Sequence, residues 1–186
     1  MATFNPYLNF KGNAEEAFNF YKTVFGGEFA YLVRFKDTPE ADRLPGNEKE
    51  KIMHISLPVG EGTLLMATDA LESMGHPLTV GNNFHILIDV KSKEEATKLY
   101  DALSSGGKIG TALSDTFWGA YFGSFTDKFG VQWMINYQKT IINRIHNERK
   151  IRPWRERTPI STSPATPRRH SFFTNPFSEE NSAAAA

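Results

Sequence analysis

The sequence predicts an α+β protein made of two βαβββ modules, one over about residues 3–69 and the other over about 83–138. Three observations carry this. Ala17-x-x-Phe20-Tyr21 recurs as Ala96-x-x-Leu99-Tyr100, an offset of 79 residues. Each of these helical stripes stops at a glycine pair, Gly26-Gly27 and Gly106-Gly107, which suits the left-handed backbone at a helix end. The segments around them alternate apolar and polar residues, the period of a strand with one buried face. Two such modules side by side form a curved eight-stranded mixed sheet, a cup, with the helices outside.

The elements follow in order. Phe4 to Phe10 alternates and reads as a strand, with Pro6 suiting an edge or strand entry. Asn13 is placed as a helix N-cap, with Glu15 and Glu16 in the first turn. Ala14, Ala17, Phe18, Tyr21 and Phe25 form the apolar stripe. Glu28 to Lys36 reads as a strand and Asp37 to Lys51 as a long polar loop. Ile52 to Val59 and Thr63 to Thr68 form a hairpin about Gly60-Glu61-Gly62, with Met53, Ile55, Leu57 and Val59 on one face. The second module repeats the pattern. A strand begins at Phe84, and Ser92 caps a helix with Glu95 at the capping-box position. Strands follow near Lys108 to Leu113, Trp118 to Thr126 and Val131 to Tyr137, the last two joined by a turn at Asp127 to Gly130.

Composition narrows the function classes. There is no cysteine, which excludes disulfides, thiolate metal ligands and a cysteine nucleophile. No apolar run approaches the roughly 18 residues of a membrane helix, and the N-terminus has no secretory pattern. A cytoplasmic protein with no membrane partner is expected. Residues 1–139 carry 13 Lys and Arg against 17 Asp and Glu. That mildly acidic body lacks the basic face nucleic acid would need. Residues 140–186 form a basic tail rich in Pro, Ser and Thr, expected to be mostly disordered.

Residues 3–139 also resemble a known family. The carriers are Pro6-Tyr7-Leu8-Asn9-Phe10, Gly12-Asn13-Ala14-Glu15-Glu16-Ala17, Phe20-Tyr21, Val24-Phe25-Gly26, Thr116-Phe117-Trp118-Gly119 and Asp127 to Asn136. Together they resemble the vicinal oxygen chelate superfamily of glyoxalase I, extradiol dioxygenases and bleomycin resistance proteins, in its PhnB-like branch. Members of that branch have carried a demethylubiquinone methyltransferase label. No glycine-rich loop for a methyl donor occurs here, so that activity is not expected. The resemblance implies a homodimer. It also implies metal ligands at four positions, which fall here on Asn5, Met66, His85 and Met134. Only His85 is a good ligand, since thioethers suit neither hard cations nor a Zn²⁺ site of N and O donors. No metal or other cofactor is therefore expected, and His85 is the one ligand if a divalent metal binds.

Alternation places the cup-lining residues on the face opposite the helices. The expected ligand-binding set is Asn5, Tyr7, Asn9, Ser56, Met66, Asp89, Trp118, Phe122, Gln132, Met134 and Asn136, with His85 and His54 as candidate catalytic residues. A neutral imidazole is a suitable general base near neutral pH. The functional expectation is a protein that binds a small molecule in the cup without the usual metal site. The alternative is a lyase- or isomerase-type enzyme using His85 or His54 as base, with or without a divalent metal.

Overall fold

Residues 3–60 and 62–138 are described in a computed structural model. The expectations for the tail lie outside the described residues. The first module comprises β1 (Tyr7–Phe10), α1 (Ala14–Phe25), β2 (Tyr31–Arg34), the one-turn helix α2 (Gly46–Lys49), β3 (Ile52–Val59) and β4 (Thr63–Asp69). The second comprises β5 (Ile86–Asp89), α3 (Lys93–Ser104), β6 (Lys108–Asp115), β7 (Tyr121–Thr126) and β8 (Gln132–Tyr137). The protein is α+β, with eight strands in two four-stranded mixed sheets, ordered β1-β4-β3-β2 and β5-β8-β7-β6. In each sheet the first pair is parallel and the others antiparallel. The repeat extends to the register: Tyr7 pairs with Met66 as Leu87 pairs with Met134.

Several strands start later than their alternation suggests, because side chains take the backbone groups of the lead-in. Asn5 Oδ1 accepts from Leu64 N–H at 2.9 Å. Gln132 Nε2 donates to the carbonyls of Gly81 and Phe84 at 3.1 and 3.0 Å, so Phe84 and His85 precede β5. Before β7, Thr116 and Ala120 close a tight loop through their backbones, lifting Phe117 and Trp118 to its tip. One face assignment is also corrected. Val33 pairs with His54 but Arg34 pairs with Ile52. This bulge skips Met53 and turns Ile52 into the core at 1% exposure.

The α1 N-terminus is satisfied from elsewhere in the fold. Asn13 makes no side-chain cap bond. Instead Asp69, buried at the end of β4, accepts from Ala14 N–H at 3.0 Å and from Ile52 N–H at 2.8 Å. One carboxylate thus fixes helix, bulge and strand end together. Ser92 caps α3 as expected, accepting from Glu95 N–H at 3.1 Å. Glycine is required at Gly123, where a Cβ would lie 2.6 Å from the Tyr100 ring and 3.0 Å from the Leu113 backbone.

Each helix packs on its own sheet, and the two helix-covered faces meet in one continuous core. Tyr21 of α1 is fully buried, with its ring 5.6 Å from that of Trp133 on β8. Its hydroxyl donates to Asp127 Oδ2 at 2.7 Å. Asp127 also accepts from Trp133 Nε1 at 2.9 Å and, through Oδ1, from Phe129 and Val131 N–H at 2.8 and 2.9 Å. Burial, then the neighbouring carboxylate, pushes the Tyr21 phenol far above its ordinary range and keeps it a donor.

Two predictions follow from this joint. Asp127→Ala removes the acceptor of four donors, two of them buried in the core, and is expected to lower stability by about 3–5 kcal/mol in urea unfolding. A loss under about 1 kcal/mol would mean that the joint is dispensable. Tyr21 has a raised folded-state pKa, so its contribution is complete below the unfolded value near pH 10 and fades as pH rises through the folded one. Above about pH 10 the native protein should lose stability more steeply than Tyr21→Phe, by up to about 1.4 kcal/mol per pH unit. Equal slopes in alkaline unfolding curves would refute this.

Candidate functional site

The faces opposite the helices carry the candidate residues. On β4, Leu65, Ala67 and Asp69 turn to the core, while Met66 and Thr68 turn to the open face. Leu87 and Tyr7 keep about half their surface exposed, at 52% and 47%.

The first open face gathers an aromatic group around His54. Tyr7 Oη lies 3.3 Å from His54 Nδ1. The His54 ring centroid is 5.7 Å from that of Tyr7 and 5.8 Å from that of Tyr31. Burial raises the Tyr7 phenol above its usual range, outweighing a hydrogen bond with Thr68, so it stays neutral and can donate to the imidazole. Tyr31 was absent from the sequence-derived set. Its signal is visible only in register, because β2 pairs Tyr31 with Ser56 on the same face. Ser56 is buried and Met66, opposite it on β4, is half-buried. Asn9 is exposed on β1. Asn5 has its carbonyl oxygen committed to Leu64.

The second open face holds the other set. Trp118 packs edge-on against Phe122 at 6.2 Å and against Phe117 at 4.8 Å. Asn136 Nδ2 donates to Asp89 Oδ1 at 2.7 Å. Met134 is half-buried beside Leu87. Gln132 is tied to the segment before β5. His85 is half-buried and makes no side-chain hydrogen bond among the described residues. Among the described residues, no hydrogen bond or aromatic contact joins the His54 group to His85. The two faces belong to separate four-stranded sheets.

The donor chemistry can be tested against a metal. The four superfamily positions offer one imidazole, two thioethers and one amide oxygen already bonded to a backbone N–H. Among the described residues, no three His, Asp or Glu side chains are grouped to hold a metal ion. These residues do not fit the usual site. Calorimetric titration with Mn²⁺ or Zn²⁺ is expected to give the same weak response for wild type and His85→Ala. Stoichiometric uptake lost in His85→Ala would contradict this.

Paired βαβββ modules with open sheet faces define a glyoxalase-type protein. The chain belongs to the Glyoxalase/Bleomycin resistance protein/Dioxygenase superfamily, whose description matches residues 3–135. It is 35% identical over 143 residues to Protein YjdN of Escherichia coli, covering 73% of this chain and 95% of that one. Protein PA1353 from Pseudomonas aeruginosa is similar in structure, with 40% identity, TM-score 0.66, and coverage of 74% of this chain and 98% of that one. A PhnB protein from Bacillus cereus is similar too, with 25% identity, TM-score 0.60, and coverage of 73% and 99%. No helix among the described residues is long and apolar enough to cross a membrane.

Proposed function

We propose that this protein binds a small organic molecule on its open sheet faces, without the superfamily's usual metal. The carrying observation is the Tyr7–His54–Tyr31 group, an imidazole flanked by two phenols on the open face of the first sheet. Aromatic walls with a few converging polar groups suit a small-molecule site. Methionine at both former carboxylate positions adds soft apolar surface there.

The protein acts as a homodimer in this reading. Each open face is half a cup, and the second half comes from the partner copy. Support comes from the exposed Tyr7, Tyr31, Leu87 and Trp118, and from the unpaired edges of β1 and β5. A second reading is a lyase or isomerase with His54 or His85 as base. The Tyr7–His54 contact favours His54 in that role, because it orients the ring.

The strongest hit from a small-molecule thermal-shift screen supplies the probe. Tyr7→Ala and Trp118→Ala are each expected to abolish its binding. Mixed dimers of the two variants should regain about a quarter of the wild-type sites, since one cup per heterodimer is intact. Full affinity in both single variants would remove the site from these faces. Absence of recovery on mixing would place the cup within one chain. Turnover of the hit that fails in His54→Ala would replace the binding reading with the enzymatic one.

A further inference from the structure

The Tyr7–His54 contact decides which ring nitrogen is left for a ligand. Tyr7 Oη lies 3.3 Å from His54 Nδ1, while His54 Nε2 makes no hydrogen bond among the described residues. A phenol keeps its proton at neutral pH. An imidazole nitrogen is also a better acceptor than a phenol oxygen, whose lone pair is shared with its ring. Tyr7 therefore donates to Nδ1, and the single proton of the neutral imidazole goes to Nε2.

The surroundings narrow what that N–H can meet. The rings of Tyr7 and Tyr31 lie 5.7 and 5.8 Å from the imidazole, tilted 35° and 56° to it. They offer π surface to a planar molecule. None of the residues that β1, β2, β3 and β4 turn to this face is Asp, Glu, Lys or Arg. A charged group brought here would leave water without a counter-ion, whereas a carbonyl oxygen accepts a hydrogen bond and carries no charge.

We infer that Tyr7 is a positioning residue that holds His54 as the Nε2–H tautomer, and that this donor selects planar ligands presenting an uncharged carbonyl oxygen. This role rests on the binding reading above. It sets aside His54 as the base of the second reading, because the free nitrogen offers a proton instead of a lone pair.

The tautomer is read without any ligand. In ¹⁵N–¹H correlation spectra of the full chain at about pH 8, where an imidazole is neutral, the nitrogen coupled strongly to His54 Hδ2 is Nε2 and should carry the proton. His54→Phe identifies the signals. Tyr7→Phe keeps the ring and loses the hydroxyl, so Nδ1 should move to the position of an unbonded nitrogen and the other tautomer should appear. A proton on Nδ1 in the native protein, or an unchanged Nδ1 in Tyr7→Phe, would overturn the assignment and leave the binding reading to the screen above. Acetophenone is the probe for the ligand class. NMR titration should give it at least about tenfold tighter binding than ethylbenzene, its hydrocarbon counterpart, or benzoate, its anionic one. His54→Phe should erase the preference over ethylbenzene. Tyr7→Phe should weaken acetophenone by about two- to fivefold, as the competent tautomer becomes a fraction of the population. Equal binding of ethylbenzene, tighter binding of benzoate, or no response to acetophenone would sink the ligand class even if the tautomer holds.

Discussion

One buried carboxylate joins the two halves of this molecule. Asp127 sits in the turn before β8 and gathers two backbone amides, an indole and the Tyr21 hydroxyl. The first three partners belong to its own module. The fourth comes from α1, 106 residues earlier. A buried charge without partners would be prohibitive, and here every lone-pair direction is used. The placement of one module against the other thus depends on a group whose satisfaction requires both. Around it the rings of Tyr21, Phe129 and Trp133 pack on one another, with Phe25 against Trp133, and Asp127 keeps only 4% of its surface exposed.

That joint has a consequence for the site. Because the modules share their helix-covered faces, the other faces are left open on different sheets. Core geometry and candidate-site geometry are therefore one problem: moving α1 against β8 would reorient the two open faces relative to each other.

The open faces carry the chemistry that the family fold makes available. On one, an imidazole is held between two phenols. On the other, Trp118, Phe122 and Leu87 give an apolar surface beside the Asp89–Asn136 pair. Replacing hard oxygen donors with thioethers shifts such a surface from cation coordination toward apolar contact.

Much was legible in the sequence because it rests on local periodicity. Alternation identified which residues of β4 and β8 face away from the helices, and the helical stripes identified Tyr21 and Tyr100 as core. Glycine pairs and the Ser92 cap marked helix ends, since backbone conformation and capping are properties of a few adjacent residues. Tertiary structure decided what depends on residues far apart in the chain. The β3 bulge moved Ile52 inward, Asp69 replaced Asn13 as the cap of α1, and register brought Tyr31 to His54. The lone acid of a turn became the joint between modules only when α1 placed Tyr21 against it. No local pattern encodes that meeting, because its partners are set by how two independently readable modules pack.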